Sequence, residues 1–302
     1  ICFITSSLQA QNALDFDGSN DAVNCGTDTA FDIGGKSFSM EAWINASAWT
    51  KQVFEGSIIN KENNSTNGGY MLRAGDAGRL GFAIGEATSS SWYEINTGNI
   101  LSLNTWYHVA ATYDGVKMRL YLNGNPIDSL STSVNIGITN TIPLTIGYHL
   151  TYGRYWSGTI DEVRLWNTVR TQAEIKANMN AEFCSVTSGL RAYYKFDEGK
   201  AGGNNASIKT AKDYSIHNKT ATLTNFALSG STSNWVKGAG LSQSTVYSYD
   251  TLRNCGPFIW TPHGRFYTVS TTNSQVFSSS TGCDSTVITQ IYIKDISYTN
   301  IA

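Results

Sequence analysis

Two adjacent acids, Asp161 and Glu162, interrupt the strand-like segment GTIDEVRLW. A buried carboxylate is costly unless a cation or hydrogen-bond donors meet it. The apolar residues around this pair do not alternate strictly, which predicts a β-bulge that turns a carboxylate outward. A second oxygen-rich segment, DFDGSND, places Asp17, Asn20 and Asp21 around a glycine. Calcium takes six to eight oxygen ligands of this kind, so both segments are candidate calcium sites.

The same acids also have ordinary structural explanations. Asp161 or Glu162 would pair with Arg164 or Arg170. Asp17 would form an Asx turn around the following glycine. The residues alone leave calcium binding and these simpler roles open.

Residues for catalysis lack partners in the sequence. Glu41, Glu55 and Glu62 have no second acid two positions away on the same strand face, so no carboxylate pair for glycoside hydrolysis is visible. We expect them to be solvent-facing or hydrogen-bonded. No nucleophile elbow or P-loop occurs. The histidines are isolated from one another: His108, His149, His217 and His263. The sequence therefore predicts that the protein is not an enzyme.

Aromatic residues near turns are the best candidates for ligand binding. Trp92 lies in SSSWYEINTG, and Tyr152 and Arg154 lie in GYHLTYGRYWSG. Flat aromatic faces stack on sugar rings, while polar side chains hydrogen-bond to hydroxyls. We predict that Trp92, Tyr152 and Arg154 bind a glycan, the alternative being that they pack within the protein. Trp156 opens a strand and is assigned to the core.

Composition narrows the class of protein. Charged residues make up 15% of the 302 residues, and only four are Pro, which is typical of an extracellular all-β protein. With a net charge of −2 and no basic run, nucleic acid is not expected as a partner. No stretch approaches the ~18 apolar residues that a membrane span needs. The expected partner is a glycan or a cell-surface protein.

Short alternating segments separated by Gly and Asn turns predict an antiparallel jelly-roll β-sandwich. The clearest piece is a β-meander over residues 104–127, with Asp-Gly and Asn-Gly dipeptides at its turns. One helix is predicted after the capping box Thr171-x-x-Glu174.

We predict four segments along the chain. Residues 1–11 resemble the end of a secretory signal peptide, which predicts a secreted or cell-surface location. Residues 12–238 form the jelly-roll domain, and residues 239–245 form a Gly/Ser-rich linker. Residues 246–302 form a small β-rich repeat, either complete or truncated.

Because export to an oxidising compartment is expected, the cysteines are interpreted as candidate disulfide partners. The small C-terminal domain is too small for a large core and is expected to need a covalent cross-link. A disulfide between Cys255 and Cys283 would add about 3–4 kcal/mol to its free energy of unfolding. Cys25 and Cys184 are a second candidate pair, with unpaired thiols as the alternative.

Seven motifs occur in the order found in LamG-like jelly-roll domains, relatives of the concanavalin A-like lectins and glucanases. They are ALDFDGSNDAVNCG, FSMEAWINA, GSIINK, GGYMLRAG, NTWYHVAATYDG, MRLYLNG and GTIDEVRLWNT. The resemblance covers roughly residues 13–180. The segment after it is expected to close the same sandwich, the alternative being a truncated second copy of the domain. The resemblance implies a structural calcium ion held by Asp17 and Asp161 together. The C-terminal part resembles small repeats in bacterial surface proteins exported by the type IX secretion system.

These observations predict a non-catalytic, exported module for carbohydrate binding or adhesion, stabilised by a structural calcium ion. The alternatives are a protein-binding or architectural module of a large adhesin, and an accessory domain of a secreted hydrolase whose catalytic part is missing.

Overall fold

A computed structural model describes residues 12–33, 37–62, 68–89, 91–137, 141–183, 187–240, 246–255, 257–260, 265–278 and 284–294. The chain divides into two compact units at residues 241–242. The predicted signal remnant, residues 1–11, lies outside the described residues. No helix in the described part of the chain is long and apolar enough to cross a membrane.

The larger unit is built from short strands. In chain order they are β1 (Asn12–Asp17), β2 (Ala22–Asn24), β3 (Phe38–Ala46), β4 (Ser57–Lys61), β5 (Gly69–Gly75), β6 (Arg79–Gly85), β7 (Trp92–Asn99), β8 (Tyr107–Tyr113), β9 (Lys117–Leu122), β10 (Asn125–Ser131), β11 (Thr145–Ile146), β12 (Tyr148–His149), β13 (Arg154–Tyr155), β14 (Ser157–Trp166), β15 (Leu190–Tyr194), β16 (Thr210–Ala211), β17 (Ala221–Thr224) and β18 (Trp235–Lys237). Two 3-10 helices, Thr29–Phe31 and Val53–Glu55, and the helix α1 (Gln172–Asn178) complete it.

These strands form two antiparallel sheets packed face to face. The first sheet has the order β10-β9-β8-β3-β14-β1-β18, with β15 also paired to β14. The second has the order β16-β17-β2-β11-β4-β5-β6-β7, and β12 and β13 form a separate hairpin. The predicted jelly-roll β-sandwich is confirmed. The strands after α1 join both sheets, so this segment closes the same sandwich, as predicted.

Alternating side chains of the two sheets make the core. On β3, Phe38 and Met40 point inward and are fully buried. The Phe38 ring contacts Tyr70 and Phe82 of the opposite sheet, with ring centroids 5.2 and 5.9 Å apart. Trp156 is buried in the same core, as predicted. Because strand side chains alternate, the other face of each sheet remains available for polar residues.

Helix α1 covers part of the outer face of the first sheet. Its predicted capping box is present: the Thr171 hydroxyl accepts from the Glu174 amide at 3.2 Å, and the Glu174 carboxylate accepts from the Thr171 amide at 2.8 Å. Ile175 packs against Ala110 and Tyr121 in a small apolar cluster. The helix is thereby fixed over β8 and β9.

The smaller unit is also β-structured. It contains β19 (Val246–Cys255), β20 (Phe258–Trp260), β21 (Arg265–Tyr267), β22 (Thr271–Ser278) and β23 (Asp284–Lys294). β23 pairs in parallel with β19 and antiparallel with β22, while β20 and β21 form a hairpin. The Cys255 side chain and the whole of Cys283 lie outside the described residues, so their disulfide stays a prediction.

The structure differs at Cys25 from the second candidate disulfide, Cys25 with Cys184. Cys25 is a buried free thiol in the core of the sandwich, while Cys184 lies outside the described residues. The thiol follows β2 directly, and its side chain faces the core beside Tyr194. Burial raises the pKa of the Cys25 thiol far above its usual range. A thiol of this kind is an inert core residue.

We therefore expect Cys25 to resist alkylation in the native protein and to react fully after denaturation. Peptide mass spectrometry after iodoacetamide treatment, with and without guanidinium chloride, measures this difference. Recovery of a Cys25–Cys184 peptide under non-reducing conditions would contradict it.

Candidate functional site

A pocket of about 160 Å³ opens on the outer face of the second sheet. Strands β5 and β7, the end of β4, the 3-10 helix Val53–Glu55 and the β12–β13 hairpin provide its walls. Its lining side chains are Phe54, Glu62, Met71, Arg73, Trp92, Glu94 and Arg154. Two of the three residues predicted to bind a glycan, Trp92 and Arg154, thus line one pocket.

Strand β6 makes room for the long side chains beside it. Its inward residues are apolar and buried, whereas its outward positions after Arg79 hold only Gly81, Ala83 and Gly85. A Cβ on Gly81 would lie 3.0 Å from Cγ of Arg73, and one on Gly85 would lie 3.1 Å from the Trp92 ring. The small residues therefore allow Arg73 and Trp92 to lie close against this strand.

Arg73 is held in place within the pocket. It is buried, and its guanidinium forms an ion pair of 2.9 Å with Glu94 and a contact of 3.0 Å with the sulfur of Met71. Asn96 also donates to Glu94 at 3.1 Å. Burial lowers the pKa of Arg73, and the charge of Glu94 opposes that shift. The Arg73 and Glu94 charges offset each other.

The β12–β13 hairpin is anchored by a buried pair, His149 and Glu62. The amide of Thr151 donates to Nδ1 of His149 at 3.1 Å, so in the neutral ring Nε2 carries the proton and donates it to Glu62. The rings of Tyr148 and Tyr155 stack across the hairpin with centroids 6.4 Å apart. This packing fixes the hairpin that carries Arg154.

Arg154 lies between two aromatic rings. Its guanidinium carbon is 4.7 Å from the ring centroid of Phe54 and 4.6 Å from that of Tyr152. Tyr152, the third predicted binding residue, does not line the pocket itself but contacts Arg154 at its edge, where it is 49% exposed. Within the described part of the chain, Arg154 forms no ion pair and donates no hydrogen bond.

The bulge predicted at Asp161 and Glu162 is present. The pairing of β14 with β3 shifts between Asp161 and Arg164, and Glu162 has a φ of 51°. Both acids are buried, so neither carboxylate faces solvent as the prediction of an outward carboxylate implied. Glu162 pairs with Arg164 and accepts a hydrogen bond of 2.5 Å from the Tyr193 hydroxyl. The simpler prediction of a Glu162–Arg164 pair is confirmed.

Arg164 is the centre of a buried polar cluster under α1. Its guanidinium also donates to the backbone oxygens of Asn178 and Ala181 at 3.0 and 2.6 Å. It lies 3.7 Å from Glu41, which pairs with His108 at 3.3 Å. Every one of these charged side chains is at most 2% exposed. Of the two environments predicted for Glu41, solvent-facing or hydrogen-bonded, the structure shows the second.

The cluster sets the protonation of Glu41. Burial raises the pKa of Glu41, but the hydrogen bond with His108 and the charge of Arg164 lower it by more than burial raises it. The resulting pKa is about 2, compared with an ordinary value of 4.5. A folded-state pKa below the unfolded one gives stability that is present above pH 4.5 and lost as the pH falls toward 2.

We therefore expect the free energy of unfolding to fall steeply between about pH 4.5 and pH 2, and less steeply in Glu41→Gln. Urea denaturation of both proteins across this range measures the two slopes. Equal slopes would contradict the assigned role of Glu41.

The Asp17 turn does not share a site with Asp161. Asp17 lies opposite Ser157 and Leu14 opposite Ile160, so this register brings Asp161 level with residue 13, four residues from Asp17 or about 13 Å along the strand. The calcium site predicted to join the two acids is therefore wrong. In the described parts of the chain, no group of three His, Cys, Asp or Glu residues is arranged to hold a metal.

The oxygens of this turn already accept hydrogen bonds. Asp17 accepts from the amides of Ser19 and Asn20 at 2.7 and 3.2 Å, which is the predicted Asx turn. Asp21 accepts from the Asp17 amide at 2.8 Å and from the Ser233 hydroxyl at 2.9 Å. The arrangement explains these acids without an ion.

Asp161 has a different environment. One carboxylate oxygen accepts a long hydrogen bond of 3.3 Å from the Ala239 amide, and the other has no hydrogen-bond partner among the described residues. Burial, with the nearby charges of Glu162 and Asp197, raises the pKa of Asp161 well above its usual range. A Cβ on Gly238 would lie 2.7 Å from this carboxylate and 2.9 Å from the Asn12 carbonyl oxygen. Oxygen atoms of Asp161 and Asn12 thus lie close together, and no ion pair of Asp161 occurs among the described residues.

Two packed antiparallel sheets, with an aromatic and charged pocket on the outer face of one, define a lectin-type β-sandwich. The family model described as the concanavalin A-like lectin/glucanases superfamily matches residues 17–176, just over half of the chain. The protein belongs to this superfamily.

Individual relatives are distant. A solved structure from Bacteroides ovatus, named a "putative carbohydrate binding protein", is 26% identical, with a TM-score of 0.54 over 72% of this chain and 59% of that one. Paraclostridial mosquitocidal protein 1 of Paraclostridium bifermentans is 25% identical over 49% of this chain. Mouse pappalysin-1 is 25% identical over 55% of it. The chain spans only 12% and 11% of the lengths of these two curated relatives.

Proposed function

We propose that this protein is a non-catalytic carbohydrate-binding module and that the glycan binds in the pocket on the second sheet. The observation that carries the proposal is Trp92, a half-buried indole that lines a pocket also containing Arg73, Glu94 and Arg154. An aromatic face beside fixed polar groups is suited to a sugar, because its C–H face is apolar and its edge is hydroxylated.

The comparisons support this class of ligand. The superfamily includes lectins, and the Bacteroides ovatus protein of similar fold is named for carbohydrate binding. A binding role in adhesion follows from the same site, if the glycan is carried by another cell or surface.

The charged groups favour binding over hydrolysis. Glycosidases use two carboxylates on either side of the scissile bond, one of which donates a proton. In the pocket, Glu94 pairs with Arg73 and Glu62 pairs with His149. Glu41 and Glu162 lie under α1, where they are buried. None of these four acids is available as a free catalytic pair.

The proposal includes export of the protein to the cell exterior or surface. The apolar first residues and the C-terminal resemblance to type IX-exported repeats support it. The small C-terminal unit would then connect the module to the surface, and a cell-surface protein is the alternative partner.

A glycan array probed with the full-length chain tests the proposal. We expect binding to a defined set of glycans, and loss of that binding in Trp92→Ala with an unchanged melting temperature. Failure to bind any glycan, together with capture of a surface protein, would overturn the proposal in favour of a protein-binding module.

We further propose that a structural calcium ion binds at Asp161 rather than at the Asp17 turn. The buried and unpartnered oxygen of Asp161, the adjacent Asp197 and the Asn12 carbonyl supply ligand types that calcium takes. The ion would offset the cost of burying these acids.

Calcium is therefore expected to raise the melting temperature by about 5–10 °C, the shift for roughly 2.7 kcal/mol at a hundredfold excess over the dissociation constant. Differential scanning fluorimetry in calcium and in EDTA measures this shift. Asp161→Asn should lose the response, whereas Asp17→Asn, the matched control, should keep it. No response in the parent protein, or a response that Asp161→Asn retains, would contradict the assignment.

A further inference from the structure

Resting on the proposed function, we infer that the glycan is acidic and that its carboxylate binds Arg154. The ligand class is a sugar bearing a carboxyl group, such as a uronic acid. Trp92 would stack on the sugar ring, while Arg154 would pair with the carboxylate.

The position of Arg154 is set before any ligand arrives. Phe54 and Tyr152 contact the guanidinium at 4.7 and 4.6 Å, so both rings limit its movement. The Tyr152 ring in turn contacts that of His149, with centroids 5.3 Å apart, and His149 is held by Glu62. A preorganised guanidinium loses less freedom on binding than a mobile one.

The donors of Arg154 are not used by the protein. No ion pair or hydrogen bond of Arg154 occurs among the described residues, although the side chain is half-buried. Five N–H donors in a planar fork match the two oxygens of a carboxylate. Phe54 and Tyr152 are 36% and 49% exposed, so a ligand can reach the guanidinium edge from solvent.

The other charges of the pocket are already partnered. Arg73 is paired with Glu94, and Glu62 with His149. A neutral sugar would use the stacking surface of Trp92 but would leave the Arg154 charge without a partner.

Isothermal titration of the full-length chain with matched ligands tests this inference. The ligands are a trigalacturonate, the same oligosaccharide with its carboxylates methyl-esterified, and a trisaccharide that bears sulfate groups but no carboxylate. We expect the acid to bind at least tenfold more tightly than its ester or the sulfated sugar. Higher salt should weaken only the acid and sulfate complexes.

Variants distinguish the effect of the Arg154 charge on acid binding from the effect of its position. Arg154→Met should remove the preference for the acid, and Arg154→Lys should keep only part of it, because an ammonium lacks the planar fork. Tyr152→Leu should weaken acid binding without affecting the ester, as expected of a positioning residue. Arg79→Met, on β6 but outside the pocket lining, is the control and should bind as the parent does. Melting temperatures confirm that each variant folds.

The outcomes distinguish this inference from the function on which it rests. Equal binding of acid and ester, or a preference for sulfate, would overturn the carboxylate assignment while leaving carbohydrate binding intact. Binding only to neutral glycans on the array would do the same. A blank array, with no binding of any of the three ligands, would overturn both.

Discussion

Replacing Arg164 by Met is expected to lower the free energy of unfolding by about 3–5 kcal/mol, the cost of breaking a buried ion pair from one side. The substitution leaves Glu162 and Glu41 buried without their cation. It also removes the donors that meet the backbone oxygens of Asn178 and Ala181 at the end of α1. The loss therefore affects both the bulge of β14 and the attachment of the helix.

Urea denaturation at pH 7 measures this effect, and the matched control is Arg119→Met. Arg119 also pairs with an acid, Asp114, but its side chain is 31% exposed. Such a surface pair contributes about 0–1 kcal/mol. Similar losses for both variants would show that burial of the Arg164 cluster does not dominate its contribution.

Trp92→Ala is expected to weaken glycan binding by at least about 30-fold, which corresponds to the 2 kcal/mol typical of a central aromatic residue at a binding site. The indole lines the pocket and lies beside Gly85, which has no Cβ and so leaves space for the ring. No side chain of comparable area remains on that wall after truncation. The protein should still fold, because Trp92 lies on the outer face and is only partly buried.

Titration of the strongest array ligand into parent and variant measures the change. Tyr292→Ala is the control, since this tyrosine is 45% exposed, lies in the smaller unit and is not one of the residues that line the pocket. An unchanged affinity in Trp92→Ala, or a comparable loss in Tyr292→Ala, would place the binding surface elsewhere.

The sequence contained enough local information to predict the sandwich and part of its pocket. Alternation along segments such as MRLYLNG fixes which residues face the core, and turn residues mark where strands reverse. Trp92 and Arg154 were predictable because they are aromatic or charged residues beside turns. Arg73 and Glu94 were missed because they lie within strands, although both alternate with buried residues. The small outward residues of β6, Gly81 and Gly85, were the available signal for a recess.

The environments of the acids could not be predicted from the local sequence alone. Broken alternation predicted the bulge at Asp161 and Glu162, but its direction depends on Arg164, whose other partners come from the far end of α1. The distance from Asp17 to Asp161 depends on the register between β1 and β14, which is a non-local property. Whether Cys25 forms a disulfide was likewise left open, because its burial follows from packing against residues distant in the chain.

Buried acids of the first sheet take part in ion pairs that stabilise the fold, and the proposed recognition surface lies on the second sheet. On the first sheet, Glu41 and Glu162 are neutralised by Arg164 and His108 and covered by α1. On the second sheet, Trp92 and Arg154 remain accessible to solvent. The proposed function, binding without hydrolysis, rests on this division.

Nuclear magnetic resonance titration of the isotope-labelled full-length chain with its strongest array ligand tests this division most directly. We predict that the indole N–H signal of Trp92 and the guanidinium N–H signal of Arg154 shift most. The indole signals of Trp166 and Trp235, which are fully buried, should stay in place. Shifts centred on residues outside the pocket, with Trp92 and Arg154 unaffected, would contradict the account.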